Sequence, residues 1–294
     1  MKKPVFIGTA TALVTPFRDS VIDYECFHRL LDRQIEAEIE AVVLCGTTGE
    51  ASTLSEAEEH SLLADGIRYV DGRMKVIAGT GSNSTAHAVE LSRFAEHAGA
   101  DALLCVTPYY NKANINGLIR HFTEIADAVS IPVILYNVPS RTGVDIPISV
   151  YKSLSEHPNI QGVKEACGDL SKIAKMRSEL SEDFFIWSGN DDQTVPILSL
   201  GGIGLISVLS NVKPKETLEL VHTCLDGNYK KAERMQSRLM PLINALFCEV
   251  NPIPVKEALR LCEIDAGTCR LPLGELSEEH RILLSEVLKK QDSR

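Results

Sequence analysis

Short runs of apolar residues recur along the first two-thirds of the chain, and segments with helical spacing separate them. Each run has the length of a fully buried strand, and the runs begin near Val5, Ala41, Val76, Ala102, Val133, Ile160, Phe184 and Gly204. Successive runs start 20 to 36 residues apart, which leaves room for one helix and two loops. Such alternation requires parallel strands joined by crossover helices. Eight repeats predict an α/β protein with a closed (β/α)8 TIM barrel rather than an open doubly wound sheet.

Several of the separating segments carry signals for the start of a helix. These signals are Asp23, the capping box Ser55-Glu56-Ala57-Glu58, Pro147 at a first turn, and Asp169. After Val208 the strand signal ends, and helical patterns cover residues 229–247, 254–261 and 277–289. The pattern therefore predicts a barrel domain over residues 1–224 and a small C-terminal α-helical domain over residues 225–294.

Composition and charge narrow the class of partner. The chain has 294 residues, of which 44% are hydrophobic, and a formal net charge of −10. A globular composition excludes disordered and fibrous classes, and excess negative charge disfavours nucleic acids and anionic membrane surfaces. No apolar run approaches the roughly 20 residues of a membrane helix, and Pro4 and Gly8 interrupt any N-terminal signal sequence. The eight cysteines include no C-x-x-C pair. We expect a cytoplasmic protein with reduced thiols and a small-molecule partner.

Reactive residue types follow four of the predicted strands. Active sites of TIM barrels lie at the carboxyl ends of the strands, so these segments are expected to meet at one rim. They are Gly46-Thr47-Thr48-Gly49-Glu50, the segment 107–111 with Tyr109 and Tyr110, the segment 136–143 with Tyr136 and Arg141, and Lys164-Glu165.

Lys164 is the strongest candidate for a catalytic group. It ends an apolar run where a barrel interior is dry, and a charged ammonium is costly there. Only the neutral amine of a lysine attacks a carbonyl, and burial favours that neutral form. The structural alternative is an ion pair between Lys164 and Glu165 or another carboxylate of the rim.

The neighbours of Lys164 favour covalent chemistry with a carbonyl compound. Forming a Schiff base requires a proton carrier, which Tyr136 provides on the adjacent predicted strand. Hydroxyl groups of Thr47, Thr48 and Tyr110 both donate and accept hydrogen bonds, and Arg141 offers a planar fork for a carboxylate. Taken singly, each of these residues also suits a structural role in a turn, a core or a surface ion pair.

Sequence signals for metals and nucleotides are weak. The eight histidines show no ligand spacing, and Asp191-Asp192 is typical of a helix start. The turn Gly79-Thr80-Gly81 lacks the third glycine of a dinucleotide fingerprint. We therefore predict no metal site and no nucleotide cofactor.

Four motifs in matching order resemble the 4-hydroxy-tetrahydrodipicolinate synthase family, also called dihydrodipicolinate synthases, within the N-acetylneuraminate lyase superfamily of class I aldolases. The motifs are Gly46-Thr47-Thr48-Gly49-Glu50, Pro108-Tyr109-Tyr110, the segment 135–143 (LYNVPSRTG), and Gly162-Val163-Lys164-Glu165-Ala166. The resemblance extends from Gly8 to the segment 251–256 (NPIPVK), which is nearly the whole chain.

The resemblance implies a metal-free condensation of pyruvate with L-aspartate 4-semialdehyde in lysine and diaminopimelate biosynthesis. It implies that Lys164 forms an imine with pyruvate, so that no cofactor is needed. The implied proton relay is Tyr136, Thr48 and Tyr110, with Thr47 supporting it and Tyr110 coming from a neighbouring subunit. The implied substrate-binding residues are Thr48, Gly189 and Ile206 for pyruvate and Arg141 for the semialdehyde. The family is usually a homotetramer of two tight dimers.

The resemblance also implies an effector site for lysine, and here the sequence departs from the family. The matching positions are Ala51, Ser52, Glu56, Asn83, His87 and Tyr109. Glu56 stands where inhibited relatives carry an imidazole or indole, and His87 stands where they carry a carboxylate. The carboxylate that would hold the lysine ammonium is missing, so we expect weak or absent inhibition by lysine.

Other functions remain open from the sequence. N-acetylneuraminate lyases and keto-deoxy-sugar aldolases share the lysine and the tyrosine, although Arg141 suits a short anionic aldehyde better than a polyol. A catalytically silent relative that binds ligands is a second alternative, and the retained relay residues argue against it. A metal-dependent aldolase is a third, and it lacks histidine ligands at suitable spacing.

Overall fold

The computed structural model describes residues 2–292, and within them the chain forms ten strands and twelve α-helices. The strands are β1 (Gly8–Ala12), β2 (Phe17–Arg18), β3 (Val21–Ile22), β4 (Ala41–Leu44), β5 (Lys75–Gly79), β6 (Ala102–Val106), β7 (Val133–Asn137), β8 (Ile160–Glu165), β9 (Phe185–Ser188) and β10 (Gly204–Ser207). The helices are α1 (Tyr24–Glu36), α2 (Glu56–Val70), α3 (Thr85–Ala98), α4 (Ile115–Asp127), α5 (Pro139–Thr142), α6 (Ile148–Ser155), α7 (Leu170–Glu179), α8 (Thr194–Ser199), α9 (Pro214–Leu225), α10 (Tyr229–Leu246), α11 (Ile253–Leu261) and α12 (Glu278–Asp292).

Eight parallel strands close into the predicted barrel. Their order around it is β1, β4, β5, β6, β7, β8, β9 and β10, and β10 pairs again with β1. The strands β2 and β3 form a separate antiparallel pair. The (β/α)8 prediction is therefore confirmed, and the carboxyl ends of all eight strands lie at one rim.

The predicted start of the first strand is wrong by three residues. Pairing begins at Gly8, whereas the apolar run begins at Val5. The amide of Val5 donates to Gln161 Oε1 at 3.1 Å instead of joining the sheet. The next residue, Phe6, stacks on Trp187 with the ring centroids 5.3 Å apart. An apolar run thus marks burial here, but half of it packs as a core segment outside the strand ladder.

The helix start signals have local physical causes in the structure. The side chain of Asp23 accepts from the Cys26 amide, Ser55 and Glu58 form the complete capping box, and Asp169 accepts from two amides of α7. These bonds satisfy amides that the first helical turn leaves free. Pro147 is a correction, because it is the N-cap of α6 rather than part of its first turn.

Apolar side chains form two layers around the barrel wall. One cluster fills the barrel interior and includes Ala10, Val43, Ile77, Ile134 and Trp187. The second cluster lies between the strands and the surrounding helices and extends into α10, α11 and α12. Strands that are buried on both faces explain the continuous apolar runs in the sequence.

The C-terminal helices correspond to the predicted helical segments. The helix α10 packs against α8, α9 and α12, and α11 packs against α12. Residue 225 is the last residue of α9, so the division at 224/225 lies inside a helix end, and the assignment of two domains stays a prediction. No helix among the described residues is both long and apolar enough to cross a bilayer. All eight cysteines are free, and four of them are buried.

Candidate active site

Lys164 and Tyr136 lie side by side on neighbouring strands. The two residues are partners in the register of β7 and β8, and Lys164 Nζ lies 4.2 Å from the centre of the Tyr136 ring. The Lys164 residue is only 6% exposed, and both residues line a cavity of about 640 Å³ that opens at the strand ends. An amine and a phenol therefore meet at the base of a substrate-sized space.

Glu165 does not pair with Lys164, because other groups occupy its carboxylate. Its oxygens accept from the Tyr151 hydroxyl at 2.8 Å and from Asn137 Nδ2 at 2.7 Å, and Lys172 Nζ lies 3.7 Å away. Burial, reinforced by Glu165, raises the pKa of Tyr151 well above its usual value. Within residues 2–292, no carboxylate comes within 4.0 Å of Lys164 Nζ. The structural alternative of a rim ion pair for Lys164 is therefore not what the chain adopts.

Asp191 is a buried carboxyl group for which sequence reasoning assigned only a helix start. It accepts from Ser207 Oγ at 2.5 Å and from the amides of Val208 and Leu209 at 3.0 and 3.1 Å. Burial raises the pKa of Asp191, and hydrogen bonds and the charge of Lys164 oppose that shift. The group fastens the end of β10 to the turn that begins at Asp191. Its position three residues after the end of β9 was the available signal.

The threonine loop presents both backbone and side-chain groups. Thr48 is buried, and its Oγ1 accepts from Asn251 Nδ2 at 2.9 Å, whereas Thr47 is exposed. Neither threonine amide has an acceptor within the described part of the chain. Free amides in a turn suit an anionic group such as a carboxylate. Asn251 was not predicted, because it lies 203 residues from Thr48 in the chain.

The predicted substrate-binding residues occupy different depths. Arg141 is exposed on α5, and its Nη2 donates to the Asn251 carbonyl at 3.4 Å. The amide of Gly189 donates to the Glu165 carbonyl at 2.8 Å. A Cβ at position 189 would lie 3.1 Å from Lys164 Cε, so a side chain would crowd the lysine. Ile206 is buried within β10, where it pairs with Ala10.

The cavity collects most of the predicted site residues. Its lining includes Thr47, Thr48, Tyr136, Arg141, Lys164 and Gly189, and also five effector candidates, Ala51, Ser52, Glu56, His87 and Tyr109. Among the described residues, three predicted members do not line it, namely Tyr110, Ile206 and Asn83. The Asn83 carbonyl accepts from Asn111 Nδ2 at 2.9 Å. One continuous space therefore serves both the catalytic and the effector candidates.

Tyr110 does not line the cavity of its own chain. It is 92% exposed, although large aromatic residues are usually buried. Its backbone has φ of +68°, a left-handed conformation that is uncommon for an aromatic residue. Such backbone strain is typical of functional positions.

Glu59 is a further cavity residue that sequence reasoning missed. Burial, together with the nearby charge of Glu56, raises the pKa of Glu59 from 4.5 to about 7. The two residues lie three positions apart on α2 and so share one face. That spacing was the only local signal. The cavity therefore contains a carboxyl group that titrates near neutral pH.

Comparison with known proteins agrees with this geometry. Residues 5–291 match the model of the dihydrodipicolinate synthetase family. The chain belongs to this family. A 4-hydroxy-tetrahydrodipicolinate synthase from Caldicellulosiruptor saccharolyticus is 51% identical over 286 residues, which cover 97% of each chain. A solved dihydrodipicolinate synthase is 44% identical with a TM-score of 0.96 and covers 98% of this chain and 99% of its own.

A second similar structure bears on assembly. It is described as the first monomeric variant of a dihydrodipicolinate synthase, is 41% identical, and covers 98% of this chain and 97% of its own with a TM-score of 0.95. Members of the dihydrodipicolinate synthetase family are thus similar to this chain over its full barrel and its C-terminal helices.

Within residues 2–292, no group of three or more His, Cys, Asp or Glu side chains is arranged as a metal site.

Proposed function

We propose that this enzyme condenses pyruvate with L-aspartate 4-semialdehyde to form 4-hydroxy-tetrahydrodipicolinate, the reaction named for its relatives. The observation that carries the proposal is Lys164, a buried amine beside Tyr136 with no carboxylate partner among the described residues. The reaction is of the metal-independent class I aldolase type. It serves lysine and diaminopimelate biosynthesis. Location in the cytoplasm stays a prediction.

The first step is formation of an imine on Lys164. The neutral amine attacks the C2 carbonyl of pyruvate, and the carbonyl oxygen takes up a proton to give a carbinolamine. Loss of that hydroxyl group as water leaves the iminium. No cofactor enters this step, since the protonated nitrogen itself withdraws electrons from C3. Removal of a C3 proton then gives the nucleophilic enamine.

Proton transfer during these steps needs hydroxyl groups near the nitrogen. The centre of the Tyr136 ring lies 4.2 Å from Lys164 Nζ, and Thr48 lines the same cavity. We assign the relay to Tyr136, Thr48 and a neighbouring subunit's Tyr110, with Thr47 in support. The free amides of Thr47 and Thr48 suit the pyruvate carboxylate. Gly189 lines the same cavity, and we assign the backbone at Gly189 and Ile206 to the same substrate.

The second substrate brings another carboxylate and an aldehyde. The Arg141 guanidinium is assigned to the semialdehyde carboxylate, because its planar fork matches carboxylate geometry. The enamine C3 attacks the aldehyde carbon, and the aldehyde oxygen is protonated. The amino group of the semialdehyde then attacks the imine carbon, which closes the ring and releases Lys164 as a free amine.

We further propose a homotetramer of two tight dimers. The exposure of Tyr110 and its left-handed backbone support a role for this residue across an interface. A site that is completed by a second copy would make full activity depend on assembly.

The test is borohydride reduction in the presence of pyruvate, followed by peptide mass spectrometry and a coupled assay. We expect a reduced pyruvyl group on Lys164 and turnover of aspartate semialdehyde but not of N-acetylneuraminate. The variant Lys164→Arg keeps the positive charge and the bulk of the side chain, and it should lose both signals.

Three results would overturn the proposal. An adduct on another lysine, or undiminished turnover by Lys164→Ala, would exclude the assigned nucleophile. Adduct formation with cleavage of N-acetylneuraminate and no reaction of the semialdehyde would assign the chain to the sugar aldolases instead.

A further inference from the structure

The loop that follows β4 is held in an unusual backbone conformation at both ends. It contains the residues Gly46 to Gly49, and it is flanked by Cys45 with φ of +53° and Glu50 with φ of +56°. Both flanking residues are buried. Residues other than glycine adopt left-handed conformations only where the surrounding structure enforces them. Something outside the loop must therefore hold it.

The Glu50 side chain is anchored by groups from the C-terminal part of the chain. Its Oε1 lies 2.6 Å from Lys256 Nζ on α11, and its Oε2 accepts from the Arg270 amide at 2.9 Å. The side chains of Glu50 and Lys256 are 0% and 3% exposed. This is a fully buried ion pair between residues 206 positions apart.

The surroundings of this ion pair add to its rigidity. Lys256 Nζ lies 4.3 Å from the centre of the Phe17 ring, and the Arg270 guanidinium lies at the same distance from that ring. Cations over an aromatic face are attracted by its charge distribution. The nearby Asn251, which shortly precedes α11, donates to Thr48 in the same loop. The C-terminal segment thus contacts Thr48 within the loop and Glu50 at its end.

A buried ion pair needs a reason beyond stability. Removing two charges from water costs as much as, or more than, their attraction returns, and apolar replacements are often equally stable. What an ion pair adds is a defined distance and direction. This ion pair would fix the positions of the catalytic candidates Thr47 and Thr48.

We propose that Glu50 and Lys256 are positioning residues. They hold the loop 46–49 so that Thr47 and Thr48 keep a fixed position relative to Lys164. The inference rests on the proposed function, because it assigns catalytic meaning to those threonines. Neither Glu50 nor the Lys256 ammonium needs to touch a substrate. A displacement of about 1 Å in such a loop can cost about 100-fold in rate.

The experiment compares four variants of the full-length chain. Lys256→Met and Glu50→Gln each remove one charge, and the double variant Glu50→Gln/Lys256→Met leaves no unpaired buried charge. Glu50→Asp keeps both charges but shortens the reach by one methylene group. The matched control is Leu259→Ala, which removes buried methyl groups from the same helix and leaves the ion pair intact.

We expect kcat to fall by about tenfold or more in the double variant and in Glu50→Asp. The final fraction of Lys164 that borohydride traps with saturating pyruvate should equal that of the wild type, because an endpoint needs only an intact amine. The rate of trapping should fall with kcat. Leu259→Ala should lose thermal stability and keep its kcat at temperatures where it is folded.

The outcomes separate the two proposals. If the wild type shows no trapping at Lys164, the proposed function fails. If the wild type behaves as proposed but the double variant and Glu50→Asp keep wild-type kcat, the ion pair is only structural and this inference fails. Equal losses of kcat in Leu259→Ala at matched stability would also overturn it. If the double variant does not fold, Glu50→Asp decides alone.

Discussion

A buried carboxylic acid keeps its proton more tightly than it does in water. Glu59 is such a group, and its pKa rises from 4.5 to about 7. The folded state therefore binds this proton more tightly than the unfolded state does. The stability that follows is fully present below about pH 4.5 and is lost as the pH rises through 7.

Replacing Glu59 with glutamine should remove this pH dependence. We expect Glu59→Gln to be more stable than the wild type at pH 8, by up to about 3 kcal/mol at about 1.4 kcal/mol per pKa unit. Near pH 4.5 the two proteins should be equally stable. Urea unfolding across this pH range measures the difference.

Glu58 supplies a control of opposite sign on the same helix. Hydrogen bonding to Arg270 lowers the pKa of Glu58 to about 2. Glu58→Gln should therefore lose stability at pH 7, and the loss should fade as the pH falls toward 2. Parallel curves for Glu59→Gln and the wild type from pH 4.5 to 8 would refute the role of Glu59.

The expected response to lysine also depends on single residues. Glu56 and His87 line the cavity. Compared with the lysine-inhibited relatives, a carboxylate replaces an imidazole or indole at position 56, and an imidazole replaces a carboxylate at position 87. We expect no half-maximal inhibition at submillimolar lysine, because no carboxylate at position 87 receives the ammonium. Initial rates against lysine concentration test this, and strong inhibition in that range would contradict it.

At the scale of elements, the connections between the C-terminal helices depend on specific backbone contacts, as the barrel strands do. The connection between α11 and α12 packs against the small β2–β3 pair. There the Phe17 amide donates to the Ala266 carbonyl at 3.0 Å. Gly267 follows with φ of +70°, and a Cβ there would lie 1.8 Å from the Phe17 carbonyl oxygen. Only glycine fits this close approach of two backbones.

The variant Gly267→Ala should therefore be destabilised by about 3 kcal/mol or more, from left-handed strain together with a backbone clash. Gly72 is a matched control, since its φ is +73° and nothing lies within 4 Å of its added Cβ. Gly72→Ala should lose only about 1 kcal/mol. Chemical unfolding compares them, and equal losses would show that the contact with Phe17 is unimportant.

At the scale of the whole molecule, the cavity of one barrel contains most of the predicted catalytic residues but not Tyr110. Tyr110 lies outside the cavity of its own chain. If a second copy receives Tyr110, two inactive variants should complement each other. A site with Lys164 intact then regains activity when its neighbour supplies the tyrosine.

Mixing Tyr110→Phe and Lys164→Ala subunits tests this directly. After random reassociation, we expect about a quarter of wild-type activity, because half of the dimers are mixed and one of their two sites is complete. The separate variants should be nearly inactive. A mixture no more active than the sum of its components would place Tyr110 in its own subunit's site or outside catalysis.

A variant that folds but stays monomeric should likewise lose most activity.

The sequence by itself determined the features that depend on neighbours in the chain. Buried strands need apolar runs and helix starts need caps, so eight strands, Asp23, the Ser55–Glu58 box and Asp169 were all predictable. Lys164 was also predictable as a candidate, because a charged residue at the end of an apolar run conflicts with its surroundings. The start of β1 was not, since apolar residues pack in a core with or without strand pairing.

Only the tertiary structure decided which distant residues meet. The contacts of Asn251 with Thr48 and of Lys256 with Glu50 span more than 200 residues, and no local pattern encodes such a distance. The partners of Glu165 and the burial of Glu59 were hidden for the same reason. Hydrogen bonds and ion pairs reach only a few ångströms, so they exist only after barrel closure has brought the segments together.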